Sequence, residues 1–172
     1  QRDLIAVSIE AMVKAHGFEG LVMLASCDKI IPGMLMAAAI LNLPTLFLTA
    51  GAMLPFDGAG EHMVTSDLKE AIGRRRNNTM GRDAFMDLQE QICATPGTCS
   101  MMGTANTMGS FLEAAGLAPF GSATMQAFDA AKVRQARDVG ERIVGLVREQ
   151  HPFSHFLTPS SLENGIRYIA AS

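Results

Sequence analysis

Gly20-Leu21-Val22-Met23-Leu24-Ala25-Ser26-Cys27-Asp28-Lys29, followed by Pro32-Gly33 and, at Pro44-Thr45-Leu46-Phe47-Leu48-Thr49-Ala50-Gly51, a second apolar run, decides the fold class. Each run is five residues of apolar or β-branched side chains; Gly20 opens the first, which stops at Ser26-Cys27-Asp28-Lys29, and Pro44 opens the second, which Gly51 closes. Such short continuous runs read as buried strands. Between them, Met36 and Ile40 lie on one face of a helix that starts at Pro32-Gly33 and ends near Asn42. Strand, helix, strand with continuous apolar strands predicts an α/β domain: a parallel sheet with flanking helices.

Further elements follow in both directions. Ile5, Ile9, Met12 and Val13 share a helix face that Gly17 ends. The stretch from Gly51 to about Met63 is rich in Gly, Pro and polar residues and reads as a loop. Ser66 can cap a helix to Gly73, and Arg74-Arg75-Arg76-Asn77-Asn78 reads as a solvated basic turn. A helix is expected from Arg82 to Ile92. A tight loop, Ala94 to Cys99, leads into a helix that Gly116 stops. Asp129 can cap a long helix with Val133, Ala136, Ile143, Val144 and Val147 as its apolar face. Thr158, with Pro159 in the first turn, starts the last helix. There is no internal repeat, low-complexity segment or clear domain boundary.

Composition narrows the function classes. The 172 residues are 48% hydrophobic and 18% charged, enough apolar material for a core and too little charge for a disordered chain. The formal charge is −3, from 14 basic and 17 acidic residues, with no basic stripe, which argues against a nucleic-acid partner. The richest apolar run, Met34 to Leu43, is too short to cross a bilayer and is stopped by Pro44, so no membrane partner is expected. Three cysteines, an odd number, do not suit a secreted disulfide scaffold, and Gln1-Arg2-Asp3 opens an amphipathic helix and not a signal peptide. A cytoplasmic location is the expectation. The first residue is Gln, and Tyr168 to Ser172 stops within a helical pattern, so a chain cut from something longer is expected, a trimmed or processed terminus being the alternative.

Cys27-Asp28-Lys29 holds a soft sulfur donor, a hard oxygen donor and an amine at the carboxyl end of the first strand, the edge where open α/β sheets bind ligands. The following helix would point its positive N-terminus there, which favours thiolates and other anions. The same triplet also reads as an ordinary solvated surface loop. Cys99, after Thr95-Pro96-Gly97-Thr98, is expected at the mouth of the next helix. There it reads either as an activated thiol, with Gly103, Thr104, Asn106 and Thr107 admitting a ligand, or as a buried free thiol beside a capped helix. Thiolates would select zinc or an iron–sulfur cluster, and Asp28 would suit a hard ion such as magnesium, but two cysteines complete neither site. Cys93, at a helix end, reads as a structural thiol. His16, His62, His151 and His155 are scattered loop residues, Pro152 spoiling the i, i+4 pair.

Cys27-Asp28-Lys29-Ile30-Ile31-Pro32-Gly33-Met34-Leu35-Met36-Ala37 has the pattern C-D-K-x-x-P-G-x-x-x-A. It resembles the signature of the dihydroxy-acid and phosphogluconate dehydratase family. Pro96 to Met108 looks like that family's second cluster-cysteine block. Arg2 to Glu10 and Leu157 to Ile169 resemble family segments in the right order. The resemblance implies that residues 1–172 are the central part of the family's N-terminal iron–sulfur and magnesium domain. The C-terminal barrel would lie outside. It implies dehydration of a 2,3-dihydroxy carboxylic acid to a 2-keto acid, with dihydroxy-acid dehydratase as the first label. Sugar-acid dehydration (of an aldonate or 6-phosphogluconate) is the alternative. It further implies an iron–sulfur cluster, 2Fe-2S first and 4Fe-4S as the alternative, held by Cys27 and Cys99. Mg2+ would be held by Asp28 and by Lys29 as a carbamate. The serine base and the remaining ligands would lie outside this chain, and the full-length enzyme would be a homodimer or homotetramer. The reading from another class is a non-catalytic metal-binding or assembly fragment, supported by the missing half of the site.

Overall fold

The computed structural model describes residues 1–58 and 60–172. The order is α1 (Arg2–His16), β1 (Leu21–Ala25), α2 (Ile30–Leu41), β2 (Thr45–Thr49), β3 (Phe56–Gly58), β4 (Glu61–Met63), α3 (Asp67–Arg76), α4 (Arg82–Gln91), α5 (Thr104–Ala114), α6 (Ala130–Arg148), a 3-10 turn (Phe153–His155) and α7 (Pro159–Ala171). β1 and β2 form a parallel pair in register Leu21 with Thr45 through Ala25 with Thr49, so both apolar runs are strands with the expected bounds. Mixed α/β architecture with a small parallel sheet flanked by helices is the observed class.

The main core gathers Val13 of α1, Leu21, Met23 and Ala25 of β1, Ile31 and Ala38 of α2, Phe47 of β2, and Phe111 and Leu112 of α5. Phe153 of the 3-10 turn closes it. Gly33 lets α1 approach α2 closely: a Cβ there would lie 2.9 Å from the Ile5 side chain and 3.0 Å from the Arg2 carbonyl. α6 lies against both strands, and Gly20 leaves room for it, because a Cβ at that position would stand 2.5 Å from Val147. A smaller second core, Ala71, Leu88 and Ile92 with Phe56, Met63 and Phe85 around it, belongs to the segment between β2 and the Cys99 loop.

The continuous apolar run of β1 implies burial on both faces, yet Val22 and Leu24 are exposed, at 39% and 66%. Register sets them beside Leu46 and Leu48 on one face. The N–H of Leu21 and the C=O of Ala25 bond toward β2, so by alternation the main-chain groups of Val22 and Leu24 point to the free edge.

Several element boundaries differ from the sequence expectation. α2 begins at Ile30, two residues before Pro32, because proline is tolerated in a first turn where its missing N–H has no partner to lose. The segment read as one loop carries a short antiparallel hairpin, Phe56 opposite Met63 and Gly58 opposite Glu61; residue 59 of that expected loop lies outside the described residues. Arg74, Arg75 and Arg76 are the last turn of α3 and not a turn after it, as suits cations at a helix C-terminus. α6 turns a different face inward. Lys132, Val139 and Leu146 are buried and Ile143 and Val147 half-buried, whereas Val133 and Val144 are exposed. Asp129 and Thr158 cap as expected. The Asp129 carboxylate accepts from Ala131 N–H, and Thr158 forms a reciprocal box with Ser161.

Candidate functional site at the carboxyl edge of the sheet

β1 ends at Ala25, and two residues later Cys27 stands at φ +83°, the left-handed region that a β-substituted residue enters at a cost of about 1–3 kcal/mol. The turn brings Cys27, Asp28 and Lys29 together. The Cys27 thiol donates to Asp28 Oδ1 at 3.6 Å, and Lys29 Nζ donates to Asp28 Oδ2 at 3.0 Å. The Lys29 ammonium, through this hydrogen bond, holds the Asp28 carboxyl below its ordinary range. The Cys27 thiol and the Arg2 charge act the same way, and desolvation opposes them. Lys29 is also the N-cap of α2, whose free N–H groups add a partial positive charge behind the triplet. Arg2, Asp3 and Lys29 line a cleft where α1 meets α2.

The second half of the corner is built on the backbone leaving β2. Ala52 bridges Thr98 on one side and Gln126 on the other, both parallel. Thr98 N–H donates to Gly51 C=O at 2.9 Å, Met53 N–H to Thr98 C=O at 3.0 Å, and Ala127 N–H to Ala52 C=O at 3.1 Å. Gly97 makes this approach possible: its φ is +137°, and a Cβ would lie 2.4 Å from Met53 N. Cys99 follows at once, half-buried. Cys27 follows the carboxyl end of β1, and Cys99 follows the separate segment that is bridged to Ala52 just past the carboxyl end of β2; that edge is where ligands of open α/β sheets sit.

Cys99 differs from expectation in one respect. α5 begins at Thr104, so Cys99 lies five residues upstream of the helix, in an irregular segment, and not at its mouth. Cys93 is an exposed thiol two residues past α4, which removes the packing role read for it. All three cysteines are free. Among the described residues no group of three or more His, Cys, Asp and Glu side chains is gathered as a metal-holding set. What is present is a soft donor beside a hard donor at Cys27-Asp28, with a second free thiol on the neighbouring loop. This donor chemistry fits sulfur ligation of iron and oxygen ligation of magnesium, and it would make up only part of either ligand set. His151 and His155 do meet despite Pro152, with ring centroids 4.6 Å apart beside Phe156, and His62 pairs with Asp57 across the hairpin.

One buried polar cluster went unseen in the sequence. Lys132, 7% exposed, donates to Ser122 C=O at 2.6 Å and to Thr49 Oγ1 at 3.3 Å. Burial pushes its pKa down to about 8 against the pull of the Glu113 carboxylate. Glu113 in turn accepts from Gly121 and Ala123 N–H, and Ser122 Oγ is buried without a partner. The periodicity of α6 placed Val133 inward and so hid Lys132; the 132, 139, 146 spacing at every seventh residue was the available signal.

No helix among the described residues is long and apolar enough to cross a membrane. The chain is similar to curated dihydroxy-acid dehydratases from Methanoregula boonei (45% identical over 168 residues), Pyrococcus abyssi (42% over 165) and Ruminiclostridium cellulolyticum (39% over 165). Each comparison covers 96% of this chain and 30% of the relative, so the chain spans under a third of the length of the relatives it matches. The family profile described as "Dihydroxy-acid/6-phosphogluconate dehydratase N-terminal" matches residues 1–172, and the chain belongs to that family.

Proposed function

We propose that the protein containing this chain dehydrates a 2,3-dihydroxy carboxylic acid to a 2-keto acid, and that it is a dihydroxy-acid dehydratase. The observation carrying this reading is the corner itself: Cys27-Asp28-Lys29 on a strained turn at the carboxyl end of β1, in a family of dehydratases. Cys27 and Cys99 would hold an iron–sulfur cluster, 2Fe-2S in type, and Asp28 with Lys29 as its carbamate would hold Mg2+. When bound, these groups supply Lewis acidity toward the departing C3 hydroxyl and toward the C2 oxygen and carboxylate.

The chain's own residues prepare that chemistry. Asp28 is kept ionised by the ammonium and guanidinium beside it, so it offers anionic oxygen without competition from a proton. Carbamylation would turn Lys29 from cation to anion, placing two negative groups on adjacent residues. Carbamylation also removes the ammonium partner of Asp28, and a divalent cation held by the two groups would supply the counter-charge in its place. The turn at Cys27 keeps the thiol 3.6 Å from Asp28 Oδ1, so sulfur and oxygen donors share one wall of the site. The proton acceptor is expected outside residues 1–172, in a C-terminal barrel, and residues 1–172 then form the central part of the N-terminal domain. A cytoplasmic homodimer or homotetramer belongs to the same proposal.

The test is turnover of the full-length protein, prepared without oxygen, on branched-chain and sugar-derived 2,3-dihydroxy acids, with the 2-keto product measured. Product from the branched-chain acid, lost in Cys27→Ser, is expected. Product only from an aldonate or 6-phosphogluconate would move the assignment to the sugar-acid label, and no product from any would return the protein to a binding or assembly role.

A further inference from the structure

Cys99 lies in a segment, Thr98 to Gly103, that has neither helix nor strand ladder of its own beyond the single bridge at Thr98. Main-chain bonds tie it at Thr98, the Ser100 hydroxyl accepts from Thr65 N–H at 3.2 Å, and the carbonyls of Cys99 and Met101 are held by one side chain from the helix that follows. Asn106, in the first turn of α5, reaches back over the segment with its amide. Nδ2 donates to Cys99 C=O at 2.7 Å and to Met101 C=O at 2.6 Å, and Oδ1 accepts from the Thr98 hydroxyl at 2.6 Å. Two carbonyls as partners require the NH2 group on that side, so the amide orientation follows from the contacts. The Thr98 hydroxyl has one proton. The 2.6 Å contact to Asn106 takes it in preference to the 3.2 Å contact with Gly51 C=O.

Thr98 is tied at the same time to Gly51 and Met53 by its main chain. Asn106 therefore locks the Cys99 segment between α5 and the extension of β2. Every one of these bonds falls on main-chain groups or on the Thr98 and Ser100 hydroxyls. The Cys99 thiol takes no part in any hydrogen bond found among the described residues.

We propose that Asn106 is a positioning residue for Cys99: its amide fixes the backbone on both sides of the thiol and leaves the sulfur free to bind a soft metal centre. The role as a cluster ligand rests on the function proposed above, whereas the positioning of the thiol does not. Asp at 106 is nearly isosteric but replaces two N–H donors by a carboxylate oxygen facing two carbonyls, so it inverts the lock while filling the same space.

The experiment uses the full-length protein as wild type, Asn106→Asp, Thr98→Val and Thr98→Ser. Metal-stripped protein is treated with iodoacetamide, and alkylation of each cysteine is followed by peptide mass spectrometry, Cys27 and Cys93 serving as internal references. Separately, the iron-loaded protein is challenged with a chelator and iron retention is read by visible absorbance. In Asn106→Asp the Cys99 alkylation rate should change by about tenfold relative to Cys27, as expected for the loss of two hydrogen bonds. Iron should be retained about 10- to 100-fold less tightly. Thr98→Ser should behave as wild type, and Thr98→Val should shift Cys99 in the same direction by less. If Asn106→Asp does not fold, Thr98→Val against Thr98→Ser decides the matter alone. Cys99 alkylation within twofold of wild type, or an equal change at all three cysteines, overturns the proposal. A selective change at Cys99 with iron loss no different from wild type would uphold the positioning and contradict the cluster reading instead.

Discussion

Gly97→Ala tests the junction on which the Cys99 loop depends. At φ +137° an L side chain costs about 1–3 kcal/mol in backbone strain. The added Cβ would stand 2.4 Å from Met53 N, 2.6 Å from Ala52 C and 2.9 Å from Ala52 O. These are main-chain atoms of the partner segment, so relief requires the segments to part, with loss of the Thr98–Gly51 or Met53–Thr98 bond. Forced overpacking adds about 1–3 kcal/mol. A destabilisation of the junction by about 4 kcal/mol is expected, which by the tenfold-per-1.4 kcal/mol relation is close to a thousandfold. Native-state hydrogen exchange on the full-length protein reads it directly: the peptides carrying Met53 and Thr98 should exchange about a thousandfold faster. Gly140→Ala is the control. That residue is inside α6, a Cβ there meets nothing within 4 Å, and the change should stabilise by about 0.5–1 kcal/mol. Protection of Met53 and Thr98 within about threefold of wild type in Gly97→Ala would refute the reasoning, since neither the strain nor the collision would then exist.

Two further outcomes follow from charge. Lys132 has a folded-state pKa near 8, below its unfolded value of 10.5, so between those values the unfolded chain holds more protons and stability rises with pH. Wild type should therefore gain about 1–3 kcal/mol relative to Lys132→Met from pH 8 to pH 10.5, with no relative change below pH 8; parallel denaturation profiles for the two proteins would contradict the burial argument. Asp28→Asn in the full-length protein should raise the magnesium concentration for half-maximal activity by about tenfold or more while the cluster absorbance stays, because oxygen suits magnesium and not iron–sulfur. An unchanged magnesium dependence would remove Asp28 from the site.

Legibility followed the strength of the local signal. The two strands were readable to the residue because each five-residue apolar run has sharp ends: Gly20 and the polar Ser26-Cys27-Asp28-Lys29 around the first, Pro44 and Ala50-Gly51 around the second. Asp129 and Thr158 were readable as caps because a short polar side chain precedes a helical pattern. The β3–β4 hairpin was not, since three-residue strands offer no alternation to detect. α6 was misoriented because valine at 133 and 144 outweighed a lysine at 132, and a buried lysine is understood only once Ser122 and Thr49 are seen to receive it. At the site, Cys27, Asp28 and Lys29 were legible as neighbours. The positive φ of Cys27 and the grip of Asn106 on Cys99 depend on backbone course and long-range pairing that no spacing encodes.

The most direct measurement is the iron content and visible spectrum of the full-length protein and its Cys27→Ser, Cys99→Ser and Cys93→Ser variants, all purified without oxygen. Cys27 follows the carboxyl end of β1 and Cys99 the segment bridged to Ala52 just past β2, whereas Cys93 is an exposed thiol beyond α4, so its loss should change stability by no more than about 0.5 kcal/mol. The expected result is a cluster spectrum in wild type and Cys93→Ser, and its loss in Cys27→Ser and Cys99→Ser. A cluster that survives in both Cys27→Ser and Cys99→Ser, or one that disappears only in Cys93→Ser, would contradict the assignment of this corner as the metal-binding half of a dehydratase.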